Sequence, residues 1–418
     1  MAGATTDFVG TRVFQNLTAT TAKIDTRDST VIGMPMPAPA ADNTAFPIDE
    51  PVTLSLDNVE MLEKLGPGLA RDACSQILSE GIVTDIAFVR TPHSDATDPA
   101  QKYAAELNGI VGQAGQTGVH ALLQAKSHIG LEPGCIIFPG YGSQRLDDAA
   151  NAAVVAASTV AGRILDCVVI TDTPSTSREA AVAYAADFAL NLNVVAMYPQ
   201  ALVNLGEGNV IRPLSPHFAG AMVRRDKEAG SPYKACWNRP LQGVLRTSVP
   251  VGHTDGDTSS ESNFLLQRGV GTVIERNLLW APFTTASDPT VNGWRSLKRI
   301  RTRQAVDKAV LRALRMYAAE DITPHMVTLI YQSIDNFLSD LVAMGALAAY
   351  ELIWSKAMNP GSLLQAGALR VKQRFAETPD LVDLGIYSEP QPEGYDILAA
   401  AIASAVSQMG RANIRVAA

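Results

Sequence analysis

Between residues 69 and 198 the chain alternates helical periodicity with short apolar runs, and this alternation restricts its fold more than any other feature. Helical spacing over 69–80 leads to a strand-like run at 84–90. Helices over 103–111 and 119–125 precede a strand at 135–138, and a helix over 147–164 precedes one at 166–171. A helix over 178–190 then runs into a strand at 194–198. Strands separated by helices of this length predict α/β layers around a mainly parallel sheet. Past Tyr198, glycine and proline become dense and the alternation fades.

With 418 residues and 47% hydrophobic content, the chain can bury a large core and divide into domains. Its net charge of −8 argues against general affinity for nucleic acid. Four cysteines, Cys74, Cys135, Cys167 and Cys236, lie far apart with no CxxC pair, which excludes zinc-ribbon spacing and predicts reduced thiols in a cytoplasm. The opening MAGATTDFVG lacks a basic segment before an apolar run, and the apolar run 341–354 is short for a bilayer and contains Glu351. The expectation is a soluble protein with no membrane partner.

After Trp294 the character changes. Eight positive side chains between Arg295 and Arg315 are opposed by one acid, Asp307. At about 100° per residue, Arg301, Lys308, Arg312 and Arg315 share one narrow face, opposite Val306, Ala309, Val310, Ala313, Leu314 and Tyr317. The spacing predicts a helix docked by its apolar side, with a cationic stripe held outward against something negative. No aromatic interleaves these basic residues, which argues against a nucleic-acid stacking platform. Thr323 and Pro324 supply an N-cap and first-turn proline for a second helix, with Val327, Ile330, Ile334, Phe337, Leu338 and Leu341 as its core stripe. Strands at 369–375 and 384–387 complete a small α+β domain. Residues 34–47 read as an extended loop. Both ends read as arms outside a compact core, with a strand-like piece at 8–14.

A search for chemistry returns little. Gly140-Tyr141-Gly142-Ser143 lacks the closing glycine of a nucleophile elbow, and no P-loop occurs. The six histidines form no HExxH pair, and the acidic loop 253–261 lacks the EF-hand order of ligands. The expectation is no catalytic residue, no metal and no cofactor. The alternative is an α/β hydrolase-like enzyme with a triad assembled from distant positions.

The segment Asn209-Val-Ile-Arg212-Pro213-Leu-Ser-Pro216-His-Phe-Ala219-Gly220, continuing to Arg224, Asp226 and Gly230, resembles a motif of contractile tail sheath proteins of phages and R-type pyocin-like particles. That motif is a strand ending in R-P-P-S, then A-G-x-x-A-R-x-D-x-x-x-G. Asn238-Arg-Pro240-Leu-Gln-Gly243-Val resembles their next block, as do Asn263 to Arg268 followed by Gly271-Thr-Val-Ile274, with Gln267 and Arg268 departing. Trp294 and residues 298–303 resemble the start of the helix that holds a sheath to its tail tube. Leu341-Val-Ala-Met-Gly345-Ala-Leu347, Phe8-Val-Gly-Thr-Arg12-Val13 and Ser29-Thr-Val31-Ile32-Gly33 resemble further family strings. Relatives carry W-G-N-R-T where this chain has Leu279-Trp280-Ala-Pro282.

The resemblance implies a structural subunit that polymerises as stacked hexameric rings around a tail tube and contracts to drive the tube through the host envelope. A sheath of a headless injection particle is the alternative within the class. The implied fold is an α/β outer domain, subtilisin-like in fold only, over 25–291. A smaller α+β tube-facing domain spans 292–388, with arms at 1–24 and 389–418. Tube contact is expected of Lys298, Arg299, Arg301, Lys308, Arg312 and Arg315. Strand exchange between subunits is expected of Phe8, Val9, Arg12, Val13 and Phe14 in the first arm, and of Leu384, Ile386 and Tyr387 just before the second. Cys74 and Cys236 are candidates for an inter-subunit disulfide. Expected partners are further copies, the tube protein, baseplate and tail terminator proteins, without direct nucleic acid. The implied location is the virion tail, after assembly in a host cytoplasm.

Overall fold

The computed structural model describes residues 29–206 and 208–409. Residues 29–380 build one compact unit around a nine-stranded sheet. Its strand order is Pro51–Ser55, Asp85–Thr91, Ile32–Pro37, Cys135–Ile136, Val168–Asp172, Val194–Met197, Val270–Ile274, Leu278–Trp280 and Arg239–Pro240. The central run from Asp85–Thr91 to Val270–Ile274 is parallel throughout. The flanking strands are antiparallel. Parallel strands joined by helices are covered on both faces, which is why these strands are continuous apolar runs rather than alternating ones. The burial agrees: Val168–Asp172, Val194–Met197 and Val270–Ile274 have no exposed residue.

The expected mixed α/β architecture with a large parallel sheet is therefore present, with boundaries adjusted by local chemistry. The helix expected over 147–164 begins only at Ala152, because the Asn151 side chain caps it by accepting from the N–H groups of Ala153 and Val154. Ser177 likewise caps Arg178–Ala186. One expectation is overturned. The stretch from Met34 to Pro37, read as loop because of its prolines, belongs to the fully buried strand Ile32–Pro37 in the middle of the sheet. Prolines lack the ladder donor and usually mark edges. Here Met34 and Met36 are fully buried and pair in register with Phe88 and Arg90.

Two separate apolar clusters lie in this unit. The larger surrounds the sheet. The smaller joins helix Leu297–Leu314 to helix Pro324–Ala343 and the antiparallel pair Leu347–Ile353 and Lys372–Glu377. Thr323 caps the second helix by accepting from Met326 N–H, with Pro324 in its first turn, as the sequence predicts. Ile330, Ile334, Phe337, Leu338 and Leu341 are buried as expected.

Residues 381–409 form a second unit. Its first part has no regular structure, and the alanine-rich stretch is a helix, Glu393–Gln408. The strand expected at 384–387 is not formed: Leu384, Ile386 and Tyr387 are 68%, 83% and 96% exposed and have no ladder partner among the described residues. A lone extended segment has nothing within its own chain to satisfy its backbone. The other expected strand, containing Phe8, Val9, Arg12, Val13 and Phe14, lies outside the described residues.

Close approach decides which glycines are replaceable. A Cβ at Gly243 would sit 1.9 Å from Ser79 Oγ and 2.4 Å from His217 Cε1. Gly162, in the exposed face of helix Ala152–Ile164, has nothing within 4 Å. Gly243→Ala should therefore lower stability by about 1–3 kcal/mol, whereas Gly162→Ala should raise it by about 0.5–1 kcal/mol. Thermal or urea unfolding of the two variants checks the opposite signs.

Candidate functional site

Helix Leu297–Leu314 begins at Ser296, whose side chain accepts from Arg299 N–H. Its apolar face packs as the periodicity predicts, with Val306, Ala309 and Val310 in the smaller core beside Ile330 and Phe337. The charged face also turns inward. Arg301 is 3% exposed, and its guanidinium forms a two-pronged pair with the Asp226 carboxylate, one arm at 3.1 Å. Ser29 Oγ donates to the same carboxylate at 2.7 Å. Burial alone would lower the Arg301 pKa, but Asp226 more than offsets it and holds the group firmly charged. Lys308 Nζ lies 2.8 Å from Glu132 Oε1 and also donates to the Ile164 carbonyl. Lys298 donates to the Thr378 carbonyl, and burial pulls its pKa down despite nearby Asp380 and Glu377.

The outward cationic stripe is thus a misreading for two of its members, Arg301 and Lys308, and the expected tube-contact residue Lys298 is turned inward with them. Lys298, Arg301 and Lys308 are buried and engaged within their own chain. Arg299 retains 28% side-chain exposure and lies 3.5 Å from Glu377. Arg312 and Arg315 are exposed. Helical spacing identifies a charged face but not what covers it. The covering acids come from far away in sequence, Asp226 being 75 positions before Arg301 and Glu132 176 before Lys308. The helix is therefore a junction, apolar toward one core and ion-paired toward the other.

The residues that carried the resemblance make three separate groups of polar contacts beside this junction. Arg212 pairs with Asp72 at 2.8 Å. Arg224 reaches the fully buried Glu80 at 2.7 Å and also donates to the Pro240 carbonyl. Glu80 accepts in addition from the backbone N–H groups of Gln242 and Gly243. Gly220 is required because a Cβ there would come within 2.9 Å of Glu80 Cγ. Asp172, wholly buried, accepts from Leu214 N, Ser215 N and Ser215 Oγ at the start of helix Ser215–Ala229. Gly230 ends that helix in the left-handed conformation. Sequence reasoning missed Glu80, Glu132 and Asp172 altogether. Asp226 was visible, but only as a member of the motif.

Ser262 Oγ lies 2.8 Å from Nδ1 of His253, whose Nε2 is 3.3 Å from Asp255 Oδ1, but Ser262 is fully buried and its hydroxyl is closed to a substrate. His217 Nδ1 lies 2.8 Å from Glu80 Oε1. Both side chains are sealed from solvent at 1% and 0% exposure, so the pair is placed for packing rather than for a substrate. No group of three or more metal-ligating side chains occurs among the described residues. No described helix is long and apolar enough to cross a membrane.

The expected disulfide candidates are corrected as well. Cys74 and Cys236 are both buried free thiols, at 1% and 3% exposure. Desolvation pushes their pKa values up to about 12 and about 11. A protonated, enclosed thiol neither attacks nor reaches a neighbouring subunit.

No protein-family model matches the chain. Among curated proteins it is similar to the major tail sheath protein of Serratia phage KSP20, at 26% identity over 403 residues, covering 95% of this chain and 99% of that one. It is also similar to a putative prophage major tail sheath protein of Pseudomonas aeruginosa (strain UCBPP-PA14), at 28% identity over 288 residues, covering 68% and 72%. Its fold matches the sheath of an extracellular contractile injection system, PVC, in the contracted state, with TM-score 0.67, 14% identity, and coverage of 94% and 100%. The contracted helical sheath of the anti-feeding prophage matches at TM-score 0.62 and 17% identity, covering 93% of this chain and 100% of that one. Sequence and fold together make the chain similar to contractile tail sheath proteins. The resemblance read from the motifs is borne out.

Two outcomes follow from this geometry. Arg301→Met leaves Asp226 buried without its counter-charge and should cost about 3–5 kcal/mol, whereas Arg312→Met should change stability by less than about 0.5 kcal/mol; denaturant melts compare them. In the folded protein at about pH 8, Cys74 and Cys236 should resist a thiol reagent until denaturant is added, and non-reducing electrophoresis should give only monomer.

Proposed function

We propose that this chain is the structural sheath subunit of a contractile phage tail, assembling as stacked hexameric rings around a tail tube and shortening to drive that tube through a host envelope. The match along almost the whole of a phage major tail sheath protein carries this reading. Phage and prophage relatives align at 26–28% identity, against 14–17% for the injection-system sheaths, which favours a phage tail over a headless particle. Its place would then be the virion tail, after assembly in the host cytoplasm, with baseplate and terminator proteins at the two ends.

The division of labour follows from the junction. The sheet-centred part over 25–291 forms the outer body, and 292–388 faces the tube. Of the basic residues on the junction helix, Arg312 and Arg315 remain for tube contact, because they alone of the stripe are exposed. Each exposed ion pair is worth only about 0.2–1 kcal/mol. Many copies therefore hold collectively and release in sequence. The arm at 1–24 and the stretch holding Leu384, Ile386 and Tyr387 supply strands to neighbouring copies by main-chain pairing that tolerates rigid-body motion, and the arm at 389–418 extends the link between copies. The energy of contraction is stored when the extended lattice forms, so no nucleotide is consumed.

Negative-stain imaging of the purified chain should show tubes, whereas an enzyme would remain a small discrete oligomer. Arg312→Glu with Arg315→Glu should leave the fold and contracted tubes intact but prevent extended assembly on tail tubes. Unchanged co-assembly of that variant would overturn the tube-contact assignment.

A further inference from the structure

We infer that the C-terminal helix of one copy docks into an apolar groove on a second copy of this chain. The inference rests on the self-assembly reading above but concerns two surfaces which that reading does not pair.

Helix Glu393–Gln408 contains no buried residue. Tyr395, Leu398, Ile402 and Met409 follow one another at steps of three, four and seven, so they fall on a single stripe. They are 75%, 54%, 54% and 55% exposed. Ile397, 69% exposed, lies off this stripe, while alanines at 399, 400, 401, 403 and 405 keep most of the remaining helix slim and let a partner surface approach closely. A contiguous apolar stripe of this kind is the signature of a docking face. The only acids on the helix, Glu393 and Asp396, sit in its first turn.

The complementary surface is a groove at the start of helix Pro324–Ala343. Ile322, Pro324, Val327, Trp354, Leu364 and Leu369 line a cavity of about 380 Å³ with almost no polar surface. Trp354 is 48% exposed and lies edge-on to Tyr331, with ring centroids 6.3 Å apart. A half-exposed tryptophan beside an aliphatic hollow is the composition of an interface hot spot. Just beyond Trp354 and Leu369 stand Lys356 and Arg370, both exposed and neither ion-paired with an acid among the described residues. Val327 belongs to the predicted core stripe of its helix, yet it is only half-buried and lines this groove instead.

The two surfaces match in kind. An apolar stripe with two exposed acids at one end matches an apolar hollow with two exposed bases at its rim, none of the four ion-paired among the described residues. Because the surfaces are different patches of one chain, the contact is heterologous, and it propagates from copy to copy instead of closing as a twofold dimer. That geometry suits a polymer.

All four native cysteines are buried, so introduced thiols are selectively reactive. Chains carrying Ile402→Cys and chains carrying Leu364→Cys are mixed and oxidised gently. The expected result is a covalent dimer in the mixture and only traces in either chain alone. Adding Trp354→Ala to the groove chain should reduce the yield roughly tenfold. Glu393→Lys with Asp396→Lys should also reduce it, and Lys356→Glu with Arg370→Glu on the other chain should restore it, which a folding defect cannot mimic. Tubes without the mixed dimer would overturn the docking while leaving the sheath reading intact. Cross-linking of Ile402→Cys chains to one another, or only within one diluted chain carrying both cysteines, would overturn it too. Absence of both tubes and dimer would remove both readings.

Discussion

The buried pair between Arg301 and Asp226 is the interaction on which the arrangement of this molecule depends. Helix Leu297–Leu314 has no wholly solvated side in its first three turns: one face is apolar and belongs to the smaller core, the other is charged and faces the sheet-centred body. A charge enclosed there is tolerable only with a counter-charge and saturated hydrogen bonds. Asp226 provides both, and Ser29 occupies one of its remaining acceptor positions. The pair therefore fixes orientation more than it adds stability, since a hydrophobic contact of the same shape would hold the two parts together without fixing their register.

Around that pair, the glycine, arginine and aspartate pattern of the motif becomes intelligible as engineering of one helix. Ser215–Ala229 is held at its start by Asp172, along its length by Arg224 reaching Glu80, and near its end by Asp226 reaching the junction helix. Gly220 and Gly243 let backbone come close enough for Glu80 to be surrounded by donors. On the proposed reading as a sheath subunit this matters mechanically. A part that must move as a rigid body needs elements tied by directional bonds, because apolar packing alone resists sliding weakly.

The same economy separates the two kinds of charge on the junction helix. Lys298, Arg301 and Lys308 are committed inside the chain and cannot serve a partner without breaking the subunit. Arg312 and Arg315, at the exposed end, are free to make weak, screened contacts. Buried and exposed charge are thus divided along one helix, with committed ion pairs toward one end and exposed cations at the other.

Local periodicity was enough to determine the alternating strands and helices from Leu69 to Met197, the cap at Thr323, and the apolar faces of the helices starting at Leu297 and Pro324. Each of these depends on neighbours within a few positions, where period and capping chemistry are written directly. The motif strings identified the class for the same reason: each is a short local run, and their order is kept along nearly the whole chain. What only the tertiary structure decided is which long-range partner covers each face. Ile32–Pro37 is a central strand despite its prolines because buried neighbours on both sides accept it, and Cys74 and Cys236 are enclosed by segments that sequence does not link to them. The basic stripe was legible as a stripe, yet its direction was not, because Asp226 and Glu132 reach it only after the chain has folded back across the sheet. Periodicity fixes which side chains share a face; packing alone decides whether that face meets water, a counter-charge or another copy.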